Sequence, residues 1–237
     1  MSVAERYFKK TQEILGQIVE TQMPHLNRAA TLVANTIQRD GLIYALASGH
    51  SSTIAAEFYF RAGGLANFDV IQDKTFGRAE RLPGYAKALL EGYPINSNDL
   101  LIIISNSGRN ELPVEMALEA KRRNITTIGI TSLAYSQAVG SRSVSGERLF
   151  EICDVVVDNC GVLGDTALGI GPEESIRMCP TSTLAGVFIA NCIAAMAAEE
   201  LLNRKAALPV FVSANLDGGD EHNQKLLDFM RKRVRGL

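Results

Sequence analysis

The sequence contains no block of like charges, and its formal net charge is only −2. Charge therefore gives no reason to expect a nucleic acid or a membrane surface as a partner. The N-terminal residues, MSVAERYFKKTQEILGQ, include no apolar stretch of the signal-peptide type. We therefore expect a cytoplasmic protein.

Cysteine is scarce, and no two cysteines have the CxxC spacing. The four lie in or beside apolar segments: Cys153, Cys160, Cys179 and Cys192. This placement indicates buried thiols rather than disulfides or a zinc site. Residues 217–223, DGGDEHN, are rich in possible ligands but match no metal-loop spacing, and Asp220 is placed to cap a helix. We expect neither a metal nor another cofactor.

The sequence also lacks an internal boundary, a repeat or a low-complexity stretch. Its 237 residues, 46% of them hydrophobic, suffice for one large α/β domain. We predict a single domain over residues 1–237 with its core at about 25–205. A pair of N-terminal helices (4–39), separated at Pro24, and a C-terminal segment (209–237) are expected to pack on that core.

The chain is organised around residues 100–110, LLIIISNSGRN. The apolar half, residues 100–104, is rich in β-branched side chains and too short for a helix, which is typical of a strand buried on both faces of a parallel sheet. The polar half follows directly and precedes a helix that Asn110 can cap. A strand, a polar glycine turn and a helix N-terminus in succession predict an anion-binding site.

The same pattern occurs about sixty residues earlier, where strand 42–46 runs into ASGHSST and a helix from about 52 to 62. Further short strands are predicted at 68–71, 126–131 and 153–157. Strands that alternate with helices predict an α/β fold, a three-layer αβα sandwich with a five-stranded parallel, flavodoxin-like sheet. Ligands bind outside the carboxyl ends of such strands, so both polar turns are expected at one edge.

A third polar turn, CPTST, ends at residue 183 and precedes the apolar segment 184–198. Its hydroxyls are a third candidate anion contact. The apolar segment contains one strongly polar residue, Asn191, and two glutamates follow it closely, so we predict a core or dimer helix rather than a membrane span. The excess of apolar surface on this helix and the N-terminal pair predicts a homodimer or a larger homo-oligomer.

Three segments resemble the substrate loops of the sugar isomerase (SIS) family: ASGHSS at 47–52, ISNSGRNE at 104–111 and PTST at 180–183. The resemblance covers roughly residues 25–205, and among relatives the chain is similar to single-domain proteins labelled phosphoheptose isomerases. It implies a phosphosugar ligand whose phosphate is held by Ser/Thr side chains and loop amides. The implied phosphate contacts are Ser51, Ser105, Ser107 and Thr183. The other candidate substrate-binding residues are Ser48, Asn106, Asn110, Thr181 and Ser182.

The sequence departs from the family at one informative position. Phosphoheptose isomerase and N-acetylmuramic acid 6-phosphate etherase carry a glutamate ten residues beyond the first-loop serine, where this chain has Arg61. The nearest acid on that helix is Glu57, which can also form a simple i,i+4 ion pair with Arg61. We predict Glu57 and His222 as the acid–base pair, with His222 reaching in from a partner chain, and His50 as the reserve.

Three functions from different classes follow. The first is an aldose–ketose phosphosugar isomerase, which moves a proton next to a carbonyl. The second is a non-catalytic phosphosugar sensor or regulatory subunit, although no basic DNA-binding segment accompanies the domain. The third, a nucleotide-binding oxidoreductase, is disfavoured because neither turn contains GxGxxG.

Overall fold

The computed structural model describes residues 1–231, 233 and 234. The end of the predicted C-terminal segment, Lys232 and residues 235–237, lies outside the described residues. The helices are α1 (Val3–Gln38), α2 (Ser52–Glu57), α3 (Tyr85–Glu91), α4 (Glu111–Arg122), α5 (Leu133–Ala138), α6 (Leu149–Ile152), α7 (Ser182–Asn203) and α8 (Gly219–Met230). The strands are β1 (Ile43–Ala47), β2 (Phe68–Gln72), β3 (Leu100–Ile104), β4 (Thr126–Thr131), β5 (Val155–Asp158), β6 (Leu168–Ile170) and β7 (Ile176–Met178).

The main sheet is five-stranded and entirely parallel, with the order β2-β1-β3-β4-β5. Every residue of β1 and β3 is buried, which is why these strands read as unbroken apolar runs. The predicted α/β fold with a five-stranded parallel sheet is confirmed. The strand order reverses between β1 and β3, and this crossover point is where such sheets bind ligands.

The predicted helical N-terminus is confirmed, but it is one helix rather than a pair. Helix α1 has 36 residues and contains Pro24, where the sequence analysis expected a break. Ile18 and Leu26, on either side of the proline, are both buried in the same hydrophobic cluster. We attribute the continuity to this packing, because apolar contacts on both sides of Pro24 outweigh the hydrogen bond that proline removes.

Two other local predictions differ from the structure. Helix α2 ends at Glu57 instead of about residue 62, and Phe60 has a positive φ of 35°. Strand β5 begins at Val155, two residues later than expected. Two further features have no counterpart in the predictions: an isolated bridge between Leu65 and Val210, and the antiparallel pair β6–β7.

Helix α7 is long and apolar enough to cross a membrane by length and composition alone. One stripe of the helix is buried, and α7 packs extensively against α1. A Cβ added to Gly186 would overlap Ile54 of α2. This packing is that of a core helix, and it brings the start of α7 close to the start of α2.

Candidate functional site at the carboxyl edge of the sheet

The first two polar turns leave the sheet side by side. Ala47, the last residue of β1, pairs with Ile104, the last residue of β3. Ser48 and Ser105 therefore follow two adjacent strands, which in a sheet lie about 4.8 Å apart. The structure thus brings together the segments that the sequence analysis expected at one edge, and it places them at the crossover point.

The second turn, residues 105–110, is tightly packed from below. Gly108 has φ +59°, and a Cβ there would lie 3.0 Å from the hydroxyl oxygens of both Ser136 and Thr131. The amide of Gly108 donates to Ser105 Oγ at 3.2 Å, which leaves the Ser105 hydroxyl hydrogen free to be donated. Ser107 has no side-chain hydrogen bond among the described residues. The turn therefore presents two serine donors.

Asn106 has its amide fixed by a long-range contact. Asn159 Nδ2 donates to Asn106 Oδ1 at 2.9 Å, and Asn159 Oδ1 in turn accepts from the amide of Gly161. The Nδ2 group of Asn106 has no acceptor among the described residues, so it is left as a donor. The sequence analysis did not identify Asn159, because its partner is 53 residues away and no local pattern marks it.

Buried polar atoms without partners are concentrated at this edge. Among the described residues, five buried side-chain nitrogen or oxygen atoms lack a hydrogen-bond partner. One is Tyr44 Oη, within β1; the other four belong to Arg109, Asn110, Ser136 and Thr181, in or beside the second and third turns. Each such atom costs free energy when it has no partner, and a bound polar ligand would remove part of that cost.

The first turn is anchored by Asp73, which follows β2. Ser48 Oγ donates to Asp73 Oδ2 at 2.6 Å, and Asp73 also accepts from Thr75, the amide of Gly77 and Tyr85 Oη. Burial alone would raise the pKa of Asp73, but these hydrogen bonds outweigh it and lower the pKa to about 2. Because its hydrogen is donated to Asp73, Ser48 can only accept from a ligand, for example from a sugar hydroxyl.

Asp73 also holds the following segment over the first turn. A Cβ on Gly77 would lie 3.3 Å from Gly49 Cα, so the two glycines are in close approach. Lys74 and Arg78 are exposed on this segment and line a cavity of about 770 Å³.

The third turn differs from the prediction, because a carboxylate of the chain itself fills it. Asp165 Oδ1 accepts from the amides of Thr181 and Ser182, at 3.1 and 2.9 Å, and Asp165 Oδ2 accepts from Ser182 Oγ at 2.5 Å. The amides of Thr181 and Ser182 at the start of α7 are therefore occupied. The hydroxyl of Thr183 has no partner among the described residues, and its contact with phosphate stays a prediction.

The predicted acid–base residues are not all brought together. Glu57 forms an ion pair with Arg61 and accepts from Asn191 Nδ2 at 2.8 Å, so its carboxylate is held by two partners. His50 lies in the first turn, is exposed, and its side chain has no hydrogen bond among the described residues. Ser51 is next to it and is also without a side-chain hydrogen bond in the described part of the chain.

His222 lies at the other end of the sheet. It is in the first turn of α8, and its Nε2 is 2.9 Å from Val210 O. Val210 bridges Leu65, which precedes β2, so this contact is near the amino ends of the strands. A five-residue strand spans about 16 Å, which separates His222 from the polar turns of its own chain. Its arrival from a partner chain stays a prediction.

No metal-binding arrangement is found in residues 1–231, 233 and 234, where no three His, Cys, Asp or Glu side chains are grouped to hold an ion. The four cysteines are free and partly buried. Burial raises the pKa of Cys153 to about 12 and that of Cys160 to about 11, so both remain protonated thiols at neutral pH.

Comparison with known proteins gives a family match and relatives that cover almost the whole chain. The family model described as SIS domain matches residues 6–132. A UPF0309 protein of Shouchella clausii is 37% identical over 244 residues, which cover 99% of each chain.

Two solved structures are similar in fold. Phosphoheptose isomerase GmhA of Neisseria gonorrhoeae superposes with a TM-score of 0.57 at 15% identity, covering 83% of this chain and 98% of that one. The NanR protein of Vibrio vulnificus, complexed with ManNAc-6P, gives a TM-score of 0.55 at 12% identity, covering 97% of this chain and 70% of that one.

Proposed function

Because this chain belongs to the SIS domain family, we propose that it binds a phosphorylated sugar at the carboxyl edge of β1 and β3. The observation that carries this proposal is the group of four buried polar atoms at that edge that have no partner among the described residues. The hydroxyls of Ser51 and Ser107 also have no hydrogen-bond partner in the part of the chain that the structure describes. Phosphate oxygens are strong acceptors, and the N-terminus of α4 favours negative charge.

The donors and acceptors divide the site into two parts. Ser105, Ser107 and Asn106 offer donors, which suit a phosphate group. Ser48 offers only an acceptor, and so does the unpartnered oxygen of Asn110, which suits sugar hydroxyls. The ligand is thus expected to place its phosphate over the second turn.

A thermal-shift screen against a panel of sugar phosphates, ManNAc-6P among them, tests this proposal. A ligand at 100 times its Kd adds about 2.7 kcal/mol of stability. For a chain of this size that shift is roughly 5–10 °C in Tm. The matched unphosphorylated sugars are the control and should give no shift. A panel without any stabilising member would contradict phosphosugar binding.

The proposed reaction is proton transfer next to a carbonyl, as in aldose–ketose isomerisation. Such a reaction needs an acid–base group within reach of the sugar, with a pKa near the working pH. In a single chain, His50 is the histidine at the ligand edge, whereas Glu57 is paired with Arg61. His50→Gln should therefore lower kcat on whichever panel member turns over, and His222→Asn should do so only if the partner chain contributes.

A phosphosugar sensor is the second candidate. The held carboxylate of Glu57 and the distance of His222 from the turns favour it, because they leave one chain with few free acid–base groups. The fold similarity to the NanR protein with its bound ManNAc-6P is compatible with it. Binding without turnover of any panel member would support the sensor over the isomerase.

Self-association is also proposed. Large apolar side chains remain exposed on α1 (Phe8, Val19 and Met23) and on α7 (Leu184 and Leu202), two helices that pack against each other. Covering such surface drives symmetric dimers. Sedimentation at micromolar concentration should give a dimer or larger mass, and a monomer mass would refute this proposal.

A further inference from the structure

Arg109 lies in the second turn and is not among the predicted substrate-binding residues. It precedes Asn110, the N-cap residue of α4. Its carbonyl accepts from the amide of Arg142 at 2.7 Å, which fixes its backbone from a second segment. The backbone of Arg109 is therefore held at the carboxyl edge of the sheet independently of its side-chain contacts.

The side chain of Arg109 has a buried donor and no acceptor. Its Nε is buried without a hydrogen-bond partner, and the guanidinium forms no ion pair with any carboxylate of the described chain. The next acid along the chain, Glu111, accepts from the amide of Val144 at 2.7 Å instead. Arg6 and Arg148, by comparison, each have a carboxylate partner. A guanidinium donor buried without an acceptor is costly, so a partner supplied by a ligand would be favourable.

A second, independent observation comes from below the turn. Ser136 of α5 is fully buried, and its hydroxyl has no hydrogen-bond partner among the described residues. The hydroxyl lies 3.0 Å from where a Cβ on Gly108, the residue before Arg109, would be. Asn110 Oδ1, on the residue after Arg109, is likewise buried and unpartnered in the described part of the chain. Unsatisfied polar atoms from two separate elements therefore lie at the residues on either side of Arg109.

We propose that Arg109 binds the phosphate of the ligand through its guanidinium, so that this turn selects ligands by their negative charge. The inference rests on the proposed function. It names the positive charge that would balance the phosphate, since the serine and asparagine side chains of the turn are neutral. Arginine suits this role because its planar fork matches phosphate oxygens and its charge is permanent.

The inference is tested by titration calorimetry with inorganic phosphate and with sulfate, at about pH 5.5 and about pH 8. Phosphate gains its second negative charge over this range, whereas sulfate carries two throughout. In the parent protein the affinity for phosphate should therefore rise relative to that for sulfate as the pH increases. Arg109→Gln should weaken both ions by about 10- to 100-fold and flatten that rise.

Two further variants separate charge from folding. Arg109→Lys keeps the charge and should retain part of the affinity. Arg142→Gln, an exposed cation on the neighbouring segment, should bind both ions within about twofold of the parent. If Arg109→Gln does not fold, Arg109→Lys and the pH dependence of the phosphate-to-sulfate ratio in the parent decide the matter.

The outcomes are distinct. A parent that binds a sugar phosphate, with an Arg109→Gln variant that binds it equally well, overturns the inference and leaves the proposed function intact. A phosphate-to-sulfate ratio that does not change with pH in the parent also overturns it. A parent that binds neither inorganic phosphate nor any sugar phosphate overturns the proposed function itself.

Discussion

Gly186 of α7 lies so close to Ile54 of α2 that a Cβ on Gly186 would overlap the Ile54 side chain. Ile54 is three residues after Ser51, and Gly186 is three residues after Thr183. The contact therefore couples the first and third turns, which are otherwise 132 residues apart along the chain.

Substitution at this contact should be destabilising. Gly186→Ala should lower the free energy of unfolding by about 1–3 kcal/mol, because the added methyl group has no room. Gly16→Ala is the matched control, since Gly16 is also inside a helix and has nothing within 4 Å of its added Cβ. That control should stabilise the protein by about 0.5–1 kcal/mol. Urea unfolding of both variants measures the contrast, and equal effects would contradict the close packing.

The Asp73 network predicts a pH-dependent contribution to stability. The pKa of Asp73 is lowered from 3.8 to about 2 in the folded protein. A lowered pKa gives stability that is present above pH 3.8 and is lost as the pH falls through about 2. Asp73→Asn should lower stability by about 1–3 kcal/mol at neutral pH. The gap to the parent should shrink between about pH 4 and 2.

Denaturant unfolding over that pH range checks the prediction. Asp217→Asn, an exposed aspartate without a side-chain hydrogen bond among the described residues, is the control and should follow the parent at every pH. A gap between Asp73→Asn and the parent that stays constant down to pH 2 would show that the network does not hold the ionised carboxylate.

Asp165 should contribute to stability through the start of α7. Asp165→Ala removes three hydrogen bonds to Thr181 and Ser182. The loss of a helix-capping carboxylate costs about 0.5–2 kcal/mol. Thermal unfolding measures this, with Asp217→Ala as a control that should stay within about 0.5 kcal/mol of the parent. An unchanged Tm for Asp165→Ala would mean that the carboxylate does not cap the helix.

The sequence predicts correctly those helices and strands whose bounds depend on their own residues rather than on contacts with distant parts of the chain. Strands β3 and β4 have the predicted bounds, because a short β-branched run between turn residues has few alternatives. The predicted break of α1 at Pro24 is wrong, because the packing that keeps the helix continuous there comes from other parts of the chain. Long-range packing is not visible in local periodicity.

The same distinction between local patterns and long-range contacts applies to the candidate site. The turns after β1 and β3 can be recognised from the serine, asparagine and glycine residues at the strand ends, and the structure places these turns side by side. Asp73 and Asp165 could not be recognised from local sequence patterns. Asp73 accepts from Ser48, 25 positions away, and Asp165 accepts from Ser182, 17 positions away. The filled start of α7 was therefore unforeseen, although the hydroxyl cluster there was recognised.

The central claim is that the second turn binds phosphate, and titration calorimetry of Ser107→Ala tests it most directly. The probe is whichever sugar phosphate the thermal screen finds, and Ser97→Ala, an exposed serine before the opposite end of β3, is the control. Losing one hydrogen bond to a charged group costs about 1.5–3 kcal/mol, so we expect affinity to fall at least about tenfold in Ser107→Ala and to stay unchanged in Ser97→Ala. Equal affinities for the parent and both variants would contradict the account.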